Sequence, residues 1–359
     1  VQVGLLIYGS LDTISGGFIY DRHLVRYLKE QGDRVEVIAL PWRPYGPSLL
    51  DNLNPGLRRR LELGAFDVLL EDELVHPSCF WLNQRLRARI NYPLVAIVHH
   101  LRCREQQAAW PTRLYRQVEK RYLASVDGFI CVSRTTATDV RDLLGWEAPL
   151  AVASPGRDGL PGGVSPAEIE ARATGPGPFQ IIFVGNLIPR KELHTLLAAL
   201  ANLSGADWRL TVIGSLDLDA AYVSAIRSQI QKLGLSPRVN LLGTQPAPEL
   251  AARLAASHLL AVPSSYEGFG IVYLEGMHFG LPALASTAGA ARELIRPEDN
   301  GFLVPPGDIA SLTRYISLLM EDRELLKRLS LAAYRGAAAH PTWDESAAQA
   351  RGFLQSFLR

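Results

Sequence analysis

Two glutamates eight positions apart, Glu267 and Glu275, stand in the stretch "SSYEGFGIVYLEGM". Gly268 and Gly270 flank Phe269 between them. The run "LLAVPSS" before the pair reads as a strand, and "IVYLEGMHFG" after it reads as a helix. Glu267 then belongs to a sharp strand-to-helix turn. Such a turn aims backbone N–H groups and the positive end of the helix dipole at an anion. Glycine lets that backbone approach a ligand closely. Glu275 lies roughly one and a half turns into the helix. The two carboxylates therefore reach different parts of one ligand.

A turn of this kind needs a parallel sheet with helices on both faces, and the chain alternates accordingly. In the first half, "VGLLIYG", "RVEVIAL", "FDVLLED", "PLVAIVHH" and "GFICVS" read as strands, and "FIYDRHLVRYLKEQG" as a helix. These strands are too apolar for a sheet with one wet face. Residues 154 to 178 are rich in Pro and Gly and read as a linker. A second series starts at "FQIIFVGNLIPR" and continues through "WRLTVIG", "VNLLGT", "LLAVPSS" and "LPALAS". The chain ends in an amphipathic helix pattern, "HPTWDESAAQARGFLQSFLR", expected to pack back onto the first domain. Two doubly wound units place ligand sites at the carboxyl ends of strands, with the crevice between units as the default site.

Composition agrees with this plan. A length of 359 residues suits two domains. A formal net charge of +1 gives no support to nucleic-acid binding. Cys79, Cys103 and Cys131 are the only cysteines, too few and too unevenly spaced for a disulfide framework or a zinc site. A reducing, cytoplasmic location is expected. The opening "VQVGLLIYGS" reads as a strand and not as a signal peptide, and no stretch reaches eighteen uninterrupted apolar residues. Charge is concentrated at one place. Residues 85 to 121 hold nine Lys and Arg against Glu105 and Glu119, with Trp110, Leu114 and Tyr115 interleaved. This stretch suits either an anionic membrane or phosphate-bearing lipid, or a merely solvated helix face.

The pattern P-S-x-x-E-G-F-G-x-x-x-x-E-G-M, followed by G-x-P and E-L-I, resembles the Glu-x(7)-Glu segment of retaining GT-B glycosyltransferases of family 4. The resemblance covers most of the chain and is most specific from about 180 to 310. It implies a GT-B α/β fold, in which two doubly wound Rossmann-like domains face each other across a deep cleft. It also implies a division into an acceptor-binding domain at 1–157, a linker at 158–178 and a nucleotide-sugar domain at 179–340, with helix 341–359 joining the first.

Carried over residue by residue, Glu275 would bind the ribose hydroxyls and Glu267 would lie close to the donor sugar. The backbone of Gly268, Phe269 and Gly270 would meet sugar or phosphate. "FVGNLIPRKELHTLLAAL" resembles the family's G-R-L-x-x-x-K-G segment, which puts Lys191 on the donor diphosphate. A cation there offsets leaving-group charge without a metal. Asn186 replaces the usual arginine, and Arg190 is placed to compensate. Gly16 and Gly17 resemble the family's first glycine-rich loop. The run "YPLVAIVHHLR" offers His99 and His100 to the donor sugar, and adjacent strand residues point to opposite faces, so His99 is preferred. Gly243 and Thr244 stand where the family's backbone meets the base. Ser133 and the pair Asp217 and Asp219 read as helix caps, so no metal site is expected.

The implied activity is hexose transfer from a UDP-sugar or GDP-mannose to a hydroxyl acceptor, a lipid-linked or cell-envelope glycan among the candidates. Anomeric configuration would be retained, with neither cofactor nor metal. The enzyme would be cytoplasmic, with peripheral membrane contact through 85–121. The rival readings are a nucleotide-sugar epimerase of the same fold and a non-catalytic sugar-nucleotide-binding scaffold.

Overall fold

In the computed structural model, which describes residues 1–13, 15–105, 109–203 and 205–358, twelve strands form two parallel sheets of six. The first sheet holds β1 (Gln2–Tyr8), β2 (Arg34–Leu40), β3 (Val68–Asp72), β4 (Leu94–Val98), β5 (Gly128–Cys131) and β6 (Leu150–Val152). Its order is β2-β1-β3-β4-β5-β6. The second holds β7 (Phe179–Val184), β8 (Trp208–Ile213), β9 (Val239–Gly243), β10 (Leu259–Val262), β11 (Ala283–Ser286) and β12 (Gly301–Val304), in the order β12-β11-β10-β7-β8-β9. Every residue of β3, β4, β5, β10 and β11 is buried, because helices cover both faces. The edge strand β2 instead alternates exposed and covered positions before its buried end.

The chain divides into two units. One comprises Val1–Gly156 with Pro341–Arg359, the other Arg157–His340. Helix Trp343–Gln355 belongs to the first unit, where Trp343 is buried and its ring stacks on His23 at 4.1 Å. A Cβ on Gly156 would stand 2.1 Å from the Trp343 backbone nitrogen, so only glycine permits this approach.

The segment 158–178, expected to be a linker, is a correction. It lies in the second unit and contains helix Pro166–Thr174. Ser165 and Glu168 form a capping box, with Pro166 at the first helical position, where its missing N–H costs nothing. Ile169 and Ala173 are buried, and the Arg172 guanidinium donates to the carbonyls of Ala255, Phe279 and Gly280. With so short a helix, two buried apolar positions were too few to show a period against the surrounding Pro and Gly.

Each sheet has one place where the chain reverses its direction of strand addition. In the first it lies between β1 and β3, in the second between β7 and β10. Doubly wound sheets bind ligands at the carboxyl ends of the strands at such points.

Candidate active site

At the switch point of the second sheet, the loops after β7 and β10 meet. Lys191 follows β7 through a short 3-10 turn, and its Nζ donates to Glu267 Oε1 at 2.5 Å. Arg190 Nη1 donates to the Tyr266 carbonyl at 2.7 Å and stands 3.6 Å from Glu267 Oε1. The Ser265 N–H returns a bond to the Arg190 carbonyl at 2.8 Å. Two loops 76 positions apart are thus joined through one carboxylate.

Glu267 is 6% exposed. Burial alone would raise its carboxyl, but the charges of Lys191 and then Arg190 overcome this and hold it at about 2. Lys191 is itself lowered, because loss of water outweighs the attraction of Glu267. The two shifts act in opposite senses on stability. The ion pair itself, Lys191 Nζ against Glu267 Oε1, is what an anion bound here would meet.

Glycines shape the turn. Gly270 precedes helix Ile271–His278 at φ 89°, a left-handed conformation that side chains rarely adopt. A Cβ there would meet the Tyr273 ring at 2.4 Å. Phe269 is buried, its ring 5.7 Å from that of His340. Glu275, one turn along the helix, is partly exposed and makes no hydrogen bond or ion pair among the described residues. Partial burial without a partner raises its carboxyl to about 7.

Asn186 was expected on the diphosphate. Its Oδ1 accepts the Ser215 N–H at 3.2 Å, tying the loop after β7 to the loop after β8. Gly243 closes β9 at φ 69°, and Thr244 follows it. Asp219 caps helix Ala220–Lys232 through the Tyr222 N–H, and Ser133 caps helix Arg134–Leu144 through the Thr136 N–H.

In the first unit, Gly16 and Gly17 open helix Gly16–Glu30. A Cβ on Gly17 would stand 3.0 Å from the His99 ring, so this glycine gives the imidazole its space. His99 follows β4. Its backbone N–H donates to Glu73 Oε2 at 2.6 Å, and its Nε2 lies 3.5 Å from Asp21 Oδ1. Burial would lower the imidazole, but Asp21, Asp72 and Glu73 raise it to about 10. Asp72 is pushed to about 7 by burial and by Asp21. Ligating-type atoms of Asp21, Asp72 and His99 converge within 4.8 Å. With His99 protonated, the imidazolium is itself the cation among these carboxylates. His100 turns elsewhere, its Nε2 2.9 Å from Glu105 Oε1.

Sequence reasoning missed several residues. Gly289, at φ 81°, lets the next turn pack on Glu267: its Cβ would meet the Glu267 carbonyl oxygen at 2.1 Å, and the Ala290 N–H donates to that oxygen at 2.8 Å. Gly185 and Gly214 cross so closely that a Cβ on Gly214 would stand 2.0 Å from the Gly185 carbonyl oxygen. Their shared signal was a glycine just past each of two adjacent strands. Glu192, at φ 53°, accepts the Gly307 N–H at 3.0 Å through its side chain, and nothing in the sequence announced it. Asp72 and Glu73 could have been suspected from acids at the end of the apolar run "DVLLEDE", whereas Asp21, on helix Gly16–Glu30, carried no such signal.

Residues 165–336 match the family model described as glycosyl transferases group 1, and residues 16–156 match the glycosyl transferase 4-like domain. The chain belongs to the group 1 glycosyltransferases, and its fold is GT-B. It is 28% identical to the MMP alpha-(1->4)-mannosyltransferase of Mycolicibacterium hassiacum, over 97% of this chain and 96% of that protein. Its fold is similar to that of sucrose-phosphate synthase from Thermosynechococcus elongatus, with a TM-score of 0.83 at 22% identity, covering 99% of this chain and 98% of that one. Anabaena Alr3699/HepE, solved in complex with UDP and glucose, has a TM-score of 0.76 at 23% identity, with 99% of each chain covered.

Proposed function

We propose that this glycosyltransferase moves a hexose, glucosyl or mannosyl, from a nucleotide diphosphate sugar to a hydroxyl acceptor with retention of anomeric configuration. The observation that carries the reading is the joined set of Lys191, Arg190 and Glu267 at the switch point of the second sheet, beside the N-terminus of helix Ile271–His278. Two cations, a helix N-terminus and glycine-freed backbone suit a diphosphate. Lys191 stabilises the departing diphosphate, and Glu267 keeps Lys191 in place. A diphosphate oxygen takes the acceptor's proton on the face being substituted, so no protein nucleophile and no metal is required. Glu275, without a partner among the described residues, accepts from the ribose hydroxyls. The names of the relatives support both hexoses, since one is a mannosyltransferase and a structural neighbour was solved with UDP and glucose.

The test is a thermal-shift panel with UDP, GDP and ADP on the wild type and on Glu275→Ala. At about 100 times Kd, a nucleotide should add about 2.7 kcal/mol. One nucleotide should stabilise the wild type and fail on the variant, and its sugar should then be transferred in the presence of EDTA with the anomer retained by NMR. Stabilisation by none of the three would sink the reading. Binding without turnover of any sugar or acceptor would favour a scaffold.

Membrane contact belongs to the same proposal, narrowed to one helix. Within the basic stretch 85–121, of which residues 106–108 lie outside the described residues, Arg87 pairs with Asp127, Arg89 with Glu62, and Arg104 with Asp139 and Asp142. On helix Ala109–Leu123, by contrast, Arg113, Arg116, Lys120 and Arg121 are exposed, and Trp110 is 74% exposed. Positions 110, 113, 116 and 120 recur every three or four residues and share a side. This arrangement suits an anionic bilayer surface and a lipid-linked acceptor. Co-sedimentation with anionic but not neutral vesicles, reduced in Arg113→Glu/Arg116→Glu, is the expected result.

A further inference from the structure

The switch point of the first sheet holds a buried ionic cluster that the proposed chemistry has not yet used. Asp21 lies on helix Gly16–Glu30, Asp72 ends β3, Glu73 follows it, and His99 follows β4. Asp21 and Asp72 are fully buried. Neither oxygen of Asp21 makes a hydrogen bond among the described residues, and its nearest charge partner is His99 Nε2 at 3.5 Å. A carboxylate held away from water with no compensating partner costs several kcal/mol, so Asp21 depends on this imidazole. Asp72 already accepts the Leu74 N–H through Oδ1.

The ring of His99 is walled in. The Gly17 backbone lies against it, the Tyr20 ring meets it edge-on at 5.5 Å, and Glu73 holds its backbone N–H. The side chain retains 11% exposure, yet Nε2 is fully buried. Nδ1 has no hydrogen-bond partner among the described residues.

We propose that Asp21 is a positioning residue: it anchors His99 Nε2–H inside the first unit, so that Nδ1–H is the donor offered to a substrate oxygen. The proposal rests on the reading of His99 as a residue that touches substrate. The Asp21 carboxyl faces Nε2 at 3.5 Å and is the group that a proton on this nitrogen points toward. Burial and the neighbouring Asp21 raise the Asp72 carboxyl, since two buried carboxylates this close ionise together only at a cost. His99 is an imidazolium and presents a charged donor, which favours an oxygen bearing negative charge or a hydroxyl lone pair. A neutral imidazole in the same place could offer Nδ1 only as an acceptor while Nε2 kept its proton for Asp21. Asp21 thus decides whether the histidine donates or accepts. The groups that face His99 are Tyr20 and Asp21 from the helix, and Asp72 and Glu73 from the end of β3.

The test uses the free protein and does not depend on finding a donor. The ring resonances of His99, assigned with His99→Gln, are followed by ¹H–¹³C and ¹⁵N NMR from pH 5 to 9.5. In the wild type His99 should stay doubly protonated up to at least pH 8.5. In Asp21→Asn its midpoint should fall by two units or more. Asp72→Asn should lower the midpoint by less than Asp21→Asn does, and Asp21→Ser serves as the second variant, with the same expected fall, if Asp21→Asn does not fold. Once the transfer reaction is in hand, Asp21→Asn should lower kcat about tenfold and add an alkaline limb that the wild type lacks. A wild-type His99 that titrates near the usual histidine value of about 6.5 and ignores Asp21→Asn would overturn the proposal. So would a stoichiometric divalent metal in the purified protein. If His99 behaves as stated and no nucleotide sugar is ever turned over, the proposed function fails and the anchoring role of Asp21 stands.

Discussion

Glu267 is the residue on which the second unit's site depends, and its titration is accessible. Its carboxyl falls from an ordinary 4.5 to about 2 on folding. A lowered carboxyl stabilises the fold fully above its unfolded value, and that stability is lost as pH falls through the folded value. The loss is expected between about pH 5 and pH 2 and amounts to roughly 3 kcal/mol. Urea unfolding of the wild type should therefore lose more stability between pH 5 and pH 3 than that of Glu267→Gln, and parallel curves would contradict the pair. Lys191→Ala should lower kcat by about 100-fold to 1000-fold, as for other preorganised donors. Glu275 carries the opposite sign. Its carboxyl is raised to about 7 by burial, so stability contributed by its protonated form declines as pH rises from about 4.5 to 7. A nucleotide whose hydroxyls donate to it needs the carboxylate, so binding near pH 7 should release a proton. Calorimetry in buffers of different ionisation enthalpy reads that proton, and Glu275→Gln should abolish it. Both glutamates and Lys191 were legible through the resemblance of their segments to a known family pattern, since the eight-residue spacing alone would suit a solvated helix start equally well. Asp21 was not, since its role exists only where a helix and the ends of two strands meet.

At the scale of elements, the site is a set of strand ends made to converge by glycines. Gly185 and Gly214 stand just past β7 and β8, Gly243 closes β9, and Gly270 and Gly289 shape the turns around Glu267. Gly289→Ala introduces a Cβ 2.1 Å from the Glu267 carbonyl oxygen at a φ of 81°. The cost should be about 2 kcal/mol or more, read as a lower Tm together with a fall in activity, because the turn carrying Glu267 must shift. Ser165→Ala removes a cap from helix Pro166–Thr174, which carries none of the proposed site residues. It should cost about 1 kcal/mol and leave kcat unchanged. The alternation of strands and helices was readable because buried parallel strands write nearly continuous apolar runs. β6 and β12 escaped notice, having three and four residues and no distinctive pattern. Gly243 was singled out by the family resemblance, whereas Gly185 and Gly214 matter only through their approach to one another.

At the scale of the whole molecule, each unit has its own sheet and its own buried residues. A nucleotide held by the second unit should raise the melting of that unit selectively in calorimetry. Trp343→Ala acts on the first unit, where the ring is buried against His23 and Tyr20. It should cost about 3 to 5 kcal/mol and lower the other transition, and a shift of both transitions together would show that the units melt as one. The division into two α/β series could be read in the sequence from the repeated strand and helix alternation. The switch points could not, since strand order is not written in any local pattern. The return of residues 341–359 to the first unit also orders events in time. On the ribosome, Trp343 emerges only after the whole of 157–340, so the second unit has all its residues while the first still lacks a helix. Closing that excursion costs about 2.5 kcal/mol more than closing a ten-residue loop, a cost much reduced once the intervening unit has folded and brought its two ends near each other. The nascent first half therefore spends the translation of about half the chain with the surface around His23 and Tyr20 uncovered, and it is in that interval that a chaperone would find it.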